Sequence, residues 1–324
     1  AVNVMSDQTQ NVSLPVELMV TGDSQTPSLP IIDISGSEDG IVPLPDFVDP
    51  LFLAVADRYT NIAAPNGDVV PILIQDELTV DQILHARRVL KSYLTDIPGS
   101  TWGSNKAPII NAMALSNAIL FLLNDEDEYE NPDLWALMDA GVDGQDLLGI
   151  EIFPEGSDQY MNSSERDATY EEVLHFVHGF GIQNALPSMQ GAIMDAMNYA
   201  IANNIYNPLW DLPEEDYDEE YLAMGLECYF GIWAHDPNGD GWCGDHEYVF
   251  NTRDDMEAGD PALFGIIDGF LGETWEYTAQ LPENFSGNFT LFPTVEYDYS
   301  NRSQYLTDIT LYGAHDVNIT ANAY

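Results

Sequence analysis

The chain has 324 residues, of which 45% are hydrophobic and 11% aromatic, and its 55 Asp and Glu residues against 8 Lys and Arg give a formal net charge of −47. The hydrophobic content indicates a folded protein, with one large domain or two smaller ones, rather than a disordered chain. The charge argues against nucleic acid and anionic membranes as partners, because both would be repelled. No run of about 18 apolar residues is present, so no membrane span is predicted.

The N-terminal half predicts a mixed sheet preceded by an extended arm. Residues 1–50 alternate short apolar runs with Pro, Gly, Ser and Asp, which is typical of short strands or an extended arm. The following segments predict, in order, a strand at 69–74, a helix from a Thr79 cap to about Leu94, a helix at 106–116 and a fully buried strand at 118–123.

The second half predicts helices and then a small β tail. The predicted elements are a strand at 149–153, a central helix capped by Thr169 with Glu172 completing a capping box, helices at 189–203 and 215–234, a short helix at 260–271, and strand-like alternation from 284 onward. The fold class is therefore α+β: a mixed sheet, a helical subdomain and a small β tail. We expect units at 1–64, 65–283 and 284–324, and we find no clear repeat of 20–50 residues.

The central helix places ionisable side chains on one face. Glu171, His175 and His178 are spaced i, i+4 and i+7, and Glu172 lies one step round the helix. The remaining positions at 173–177 are mostly apolar, so the helix should be buried on several sides. Buried carboxylates and imidazoles must be paired. A bound metal ion is one way to pair them, and mutual hydrogen bonding is the other.

The segment Glu171-Glu172-Val-Leu-His175 resembles the zincin metallopeptidase motif His-Glu-x-x-His, with Glu171 in place of the first histidine. The resemblance covers about residues 65–235 and implies a zincin-like fold with 149–153 as its edge strand. It implies that Glu171 and His175 are metal ligands and Glu172 the general base. As in gluzincins, a third ligand would come from a later helix, where Glu220 has a suitable setting.

The identity of the metal and the role of His178 stay open. His178 would be an extra ligand or a proton donor. The resemblance implies Zn²⁺, but a carboxylate in place of the first imidazole suits Mg, Ca, Mn or Fe better. We therefore expect either Zn²⁺ or another divalent metal. A di-iron site through Glu172-x-x-His175 would need a second Glu-x-x-His, which the chain does not contain.

Residues 236–247 follow the EF-hand calcium loop. The predicted ligands, at loop positions 1, 3, 5, 7 (through the backbone carbonyl) and 12, are Asp236, Asn238, Asp240, Trp242 and Glu247. Gly241 at position 6 would permit the sharp turn. The alternative is an Asp- and Gly-rich turn without an ion. Because the sequence after Glu247 looks extended rather than helical, we expect an isolated, structural Ca²⁺ loop.

The chain does not begin with Met and shows no secretion signal, so the simplest interpretation is a mature, secreted or cell-surface product. Cys228 and Cys243 would then form a disulfide, worth about 3 kcal/mol for a loop of this size; two buried thiols are the alternative. Asn-x-Ser/Thr sequons fit an exposed glycoprotein, although an Asn-rich chain produces some by chance. They occur at Asn11, Asn162, Asn284, Asn288, Asn301 and Asn318.

Two functions follow from these features. The first is a secreted, calcium-stabilised, zincin-like metallohydrolase that acts on a peptide substrate. The second is a non-catalytic extracellular or cell-surface calcium-binding protein with a degenerate zincin fold, which assembles with other copies of itself. The substituted first ligand, Glu171, favours the second function, while the retained Glu172 and His175 favour the first.

The calcium loop predicts that chelation destabilises the protein. A ligand that binds only the folded state adds about 2.7 kcal/mol to the free energy of unfolding when its free concentration is 100 times its Kd. EGTA should therefore lower the melting temperature measured by differential scanning calorimetry, and added Ca²⁺ should restore it. A melting temperature that does not respond to EGTA would contradict the calcium prediction.

Overall fold

The computed structural model describes residues 26–162, 167–210, 212–232, 242–244, 246–273, 275–281, 285–290, 306–311 and 317–320. Residues 1–25 of the predicted arm lie outside these ranges. So do Asp236, Asn238 and Asp240 of the predicted calcium loop.

The first half of the chain builds a mixed five-stranded sheet. Its elements are β1 (Val42–Pro43), α1 (Pro50–Val55), β2 (Arg58–Ala63), β3 (Val69–Ile74), α2 (Val80–Tyr93), α3 (Ala107–Ser116), β4 (Ile119–Leu123), α4 (Pro132–Asp139) and β5 (Gly144–Leu148). The strand order is β1-β2-β3-β4-β5, with antiparallel pairing from β1 to β3 and parallel pairing from β3 to β5. A 3-10 turn, Glu126–Glu130, lies between β4 and α4.

Strand β4 is buried on both faces, as its five apolar residues predict. Leu120 and Leu122 pack into the core that contains α2 and α3. The alternate residues Ile119, Phe121 and Leu123 pack into a second core with α1 and α4. The sheet is therefore covered by helices on each side, and the predicted strand at 118–123 is confirmed.

Helix α2 begins with the predicted cap. The Thr79 hydroxyl accepts a hydrogen bond from Gln82 N at 3.2 Å, and Gln82 Oε1 accepts one from Thr79 N at 2.9 Å. This capping box satisfies two backbone donors that the helix itself cannot pair. The strand at 69–74 and the helix at 106–116 are also confirmed.

The predicted strand at 149–153 is wrong. Strand β5 ends at Leu148 and is the edge of the sheet, and Gly149–Glu151 forms a 3-10 turn. The side-chain amide of Gln82 donates to the carbonyls of Gly149 and Ile152, at 2.6 and 3.3 Å. Because these two carbonyls accept hydrogen bonds from a side chain of α2, they do not pair with a neighbouring strand.

The helical part follows the sheet, and a small β part follows the helices. The helices are α5 (Asp158–Asn162), α6 (Thr169–Val177), α7 (Gln183–Ala185), α8 (Pro187–Ala202), α9 (Tyr217–Phe230), α10 (Arg253–Gly259) and α11 (Pro261–Leu271), with a π-helix at His178–Ile182 and a 3-10 turn at Glu214–Asp216. The strands are β6 (Trp275–Leu281), β7 (Gly287–Thr290), β8 (Leu306–Leu311) and β9 (Val317–Thr320), and they form two parallel pairs, β6 with β8 and β7 with β9. The α+β class is confirmed. Among the described helices, none has the length and apolar character needed to span a bilayer.

The predicted disulfide is also wrong: Cys228 and Cys243 are both free and buried. The Cys228 thiol donates to the carbonyl of Thr252 at 3.3 Å, and the Cys243 thiol to the carbonyl of Met224 at 3.7 Å. Each sulfur is thus directed at its own backbone acceptor. Burial raises the pKa of both thiols, so they stay protonated at neutral pH.

Candidate metal centre

Helix α6 starts differently from the prediction. Thr169 is the first residue of the helix, not its cap, and the predicted capping box with Glu172 is absent. The Asp167 side chain instead accepts a hydrogen bond from Thr169 N at 3.1 Å. The N-cap residue itself is Ala168, and Asp167 just before it accepts from the first helical amide. Asp and Thr both favour helix starts, so the sequence alone did not show which of them would accept from the backbone.

The middle of α6 is enclosed, as its apolar positions predict. Helix α6 contacts α2, α9 and strand β5. Val173, Leu174, Phe176 and Val177 are each no more than 1% exposed. The ionisable residues of α6 therefore lie where a charge needs a partner.

Glu171, His175 and Glu220 converge at the contact between α6 and α9. One ligand atom from each residue lies within 4.8 Å of the other two. The His175 Nε2 atom is 3.9 Å from Glu220 Oε1. Glu171 and His175 are buried, while the Glu220 side chain is 23% exposed. The structure thus brings together three of the predicted metal ligands in a group that could hold a metal ion.

The donor atoms of this triad fit a metal ion. His175 Nε2 is buried and makes no hydrogen bond within the described part of the chain. Its partners in the triad are carboxylates, which as anionic oxygen donors suit a divalent cation. On the far side of the ring, His175 Nδ1 lies 3.6 Å from Glu172 Oε2. Glu172 Oε2 also accepts a hydrogen bond from Gln145 of β5 at 2.8 Å.

The charges around His175 favour its protonated form. Burial lowers the pKa of His175, but the hydrogen bond and charge of Glu172, together with the charges of Glu220 and Glu219, outweigh burial and raise it to about 9. A proton on His175 therefore offsets part of the negative charge of the triad at neutral pH. A metal ion on Nε2 would replace that proton, because only the unprotonated nitrogen can be a ligand.

His178 lies outside the triad. Its ring is fully buried, with Nε2 at 2.8 Å from Gln190 Oε1 of α8. Gln190 in turn donates to Asp218 at 2.5 Å. The other ring nitrogen, Nδ1, lies 3.6 Å from Glu219 Oε1. His178 is thus held by two further helices, and it faces Glu219 rather than Glu220.

A second buried cluster fixes the start of α6, and the sequence analysis missed it. His85 of α2 lies between two carboxylates, with Nε2 at 2.8 Å from Asp167 Oδ2 and Nδ1 at 3.3 Å from Glu155 Oε2. Burial lowers the pKa of His85, but the charges of Glu155 and Asp167 outweigh it and raise the pKa to about 9. The only signal of this cluster in the sequence is a histidine beside the apolar stripe of α2. Such a histidine does not identify a partner that lies 82 residues away.

Within the predicted calcium loop, the structure describes only residues 242–244, 246 and 247, at its C-terminal end. Glu247 is buried, and the Trp242 ring packs edge-on against the His246 ring at 6.1 Å. Tyr248 then pairs with Cys243 in an isolated β-bridge, and the next helix, α10, starts at Arg253. The expected absence of a helix directly after the loop is thus confirmed, whereas calcium binding stays a prediction.

A cleft of about 810 Å³ opens away from the triad. It lies between the N-terminal end of α2, residues 149–159 and residues 285–288. None of the three triad residues lines it. Access to the triad is therefore from the side of Glu220, its partly exposed member.

Comparisons of the chain with protein-family models, with curated proteins and with solved structures give no match. No family is therefore assigned. The likeness to zincins is one of sequence motif, and the arrangement of Glu171, His175 and Glu220 is what points to a function.

The His85 cluster predicts a pH-dependent stability. Because the pKa of folded His85, about 9, exceeds its ordinary value of 6.5, the stabilisation is fully present below pH 6.5 and is lost as pH rises through 9. In His85→Gln, the fall in unfolding free energy across this window should be smaller, as measured by urea denaturation at several pH values. A smaller fall in unfolding free energy should remain in the variant, because the pKa of His175 is also raised to about 9. An identical pH profile in the variant would contradict this role of His85.

Proposed function

We propose that the protein binds a divalent transition metal through Glu171, His175 and Glu220 and acts as a zincin-like, peptidase-like metallohydrolase. The observation that carries the proposal is the convergence of two carboxylates and one imidazole nitrogen, from two helices, within 4.8 Å. Catalytic metal sites typically use three protein ligands and leave a further position open. A metal held here would supply Lewis-acid chemistry to a substrate carbonyl.

The donor set supports Mn²⁺, Fe²⁺ or Zn²⁺ more than Ca²⁺ or Mg²⁺. Carboxylate oxygens suit all of these ions, but an imidazole nitrogen favours the transition metals and zinc. With His175 neutral, the two glutamates Glu171 and Glu220 carry two negative charges, which a divalent ion balances. Glu172 and Glu219 lie nearby and would add to the attraction for a cation.

Glu172 has two roles within this proposal. As the general base, it would accept a proton from water during hydrolysis. Its position next to His175 Nδ1 also supports an orienting role, because a carboxylate on the outer nitrogen of a histidine ligand fixes the ring and its tautomer. Gln145, which donates to the same Glu172 oxygen, would hold the carboxylate in place.

His178 is proposed as a proton donor that acts through its neighbours. Its Nδ1 faces Glu219, whose side chain is 24% exposed, while the ring itself is fully buried. As a donor, His178 would pass its Nδ1 proton to Glu219, and Glu219 would protonate the leaving amine of the cleaved peptide bond.

A non-catalytic role is the second candidate, and one observation favours it. Glu171 and His175 are buried, and the large cleft lies elsewhere, so a substrate could reach the triad only from the side of Glu220. In that case, the metal and the predicted Ca²⁺ in the 236–247 loop would stabilise an extracellular protein. Metal binding without hydrolysis would identify this candidate.

The metal affinities of two variants, substituted at neighbouring positions of α9, test the site. Glu220→Gln should weaken Mn²⁺ or Zn²⁺ binding about 10-fold or more, because it removes a charged ligand. Glu219→Gln is the matched control: it removes the same charge one residue away but no triad ligand, so its effect should be much smaller. Isothermal titration calorimetry with each metal gives both values. Equal losses in the two variants would show that only the general negative charge attracts the cation.

Hydrolysis tests the catalytic part of the proposal. In Glu172→Gln, we expect the turnover of unstructured peptide substrates to fall about 100-fold or more, the range typical of general-base loss. The two proteins are compared at metal concentrations that fill the site in both, because loss of the carboxylate beside His175 Nδ1 also weakens metal binding. Elemental analysis should then give the same metal content for the variant and the unaltered protein. Unchanged turnover would remove Glu172 as the base. A protein that holds the metal but cleaves none of a broad peptide library would favour the non-catalytic candidate.

A further inference from the structure

In the two parallel strand pairs near the C-terminus, paired residues have the same separation along the sequence. From Thr278 onward, each residue of β6 pairs with the residue 30 positions later in β8. The residues of β7 pair with those of β9 at the same separation of 30. Two separate ladders with one spacing mean that β6–β7 and β8–β9 are equivalent units, stacked in parallel one above the other.

The sequence carries a trace of this repeat. Among the paired positions from Thr278 onward, the two units are identical at Leu281 and Leu311, Asn288 and Asn318, and Thr290 and Thr320. Both units therefore contain the pattern Leu-x6-Asn-x-Thr. No clear repeat of 20–50 residues was found in the sequence because the other paired positions all differ, and only the strand register reveals the spacing of 30.

The asparagine pair shows how one unit recognises the next. Asn318 Nδ2 donates a hydrogen bond to Asn288 Oδ1 at 3.2 Å across the ladder. Stacked asparagines of this kind repeat along a parallel, in-register sheet, since each amide donates to one neighbour and accepts from the other. Asn318 is exposed, and the neighbouring Ile319 is 37% exposed. The acceptor side of Asn318 and this apolar side chain lie at the outer end of the stack.

The two ends of the stack differ. Strand β6 contacts α2, so that end lies against the globular part of the chain. Within the described residues, β8 pairs only with β6 and β9 only with β7. An edge strand presents a row of backbone N–H and C=O groups that another strand can pair with. Among the described strands, the outer edge of the stack is therefore the one formed by β8 and β9.

We propose that the β8–β9 edge is a docking edge for a further unit of the Leu-x6-Asn-x-Thr pattern, presented in parallel by a second polypeptide. The backbone ladder supplies the affinity, and an asparagine opposite Asn318 sets the register. A strand shifted by one residue would place its side chains on the wrong face and lose the asparagine stack. This binding role is independent of the metal centre on α6 and α9.

The test tethers the proposed partner to the whole chain. The chain is extended after Tyr324 by a flexible Gly-Ser linker of about 20 residues and a copy of residues 303–322, which contain β8 and β9. The linker keeps the unit at an effective concentration in the millimolar range, so that weak pairing can be detected. We expect hydrogen exchange of the amides in 306–311 and 317–320 to slow about 10-fold or more relative to the unextended chain.

The control extension carries Leu311→Asp and Asn318→Asp in the tethered copy only. It has the same length and linker, but it lacks the leucine of the shared pattern and the asparagine amide donor, so exchange at the β8–β9 edge should match that of the unextended chain. The proposal is overturned if the unaltered copy leaves the exchange of 306–311 and 317–320 unchanged, or if the control slows it equally.

Discussion

The need to neutralise buried carboxylates governs the centre of this protein. In a chain with a formal charge of −47, α6 and α9 bring ligand atoms of Glu171, His175 and Glu220 within 4.8 Å of one another. Positive charge within such a group stabilises it. The charge is supplied either by a proton on His175, whose pKa is raised to about 9, or by a divalent ion in its place. The metal proposal follows from this constraint.

Helix α6, which carries Glu171 and His175, is anchored at both ends by buried histidines. At its start, His85 holds Asp167, and Asp167 accepts from the first backbone amide of α6. At its end, His178 is hydrogen-bonded to Gln190 of α8. Between these anchors, the fold itself sets the positions of the triad side chains. A site organised in this way suits a metal, because little ordering is left for the ion to cause.

The sequence correctly predicted the features that depend on the spacing of residues within one helix or strand. The i, i+4 spacing placed Glu171 and His175 together, and the run of apolar residues identified β4 as a buried strand. Periodicity did not predict contacts between distant segments, such as Gln145 with Glu172, because it identifies a face but not the residue that meets it. Glu220 was predicted only through the zincin resemblance. The free thiols were missed for another reason: the disulfide was inferred from the expected compartment, whereas side-chain direction decides whether two sulfurs meet.

The most direct test of the metal centre is an anomalous difference map from a crystal grown with Mn²⁺ or Zn²⁺ and measured at that metal's absorption edge. A bound ion is expected as a peak about 2.0–2.2 Å from His175 Nε2 and from carboxylate oxygens of Glu171 and Glu220. A triad without a peak, at metal concentrations that fill a site elsewhere on the chain, would contradict the account. It would leave the proton on His175 as the charge that stabilises the two helices.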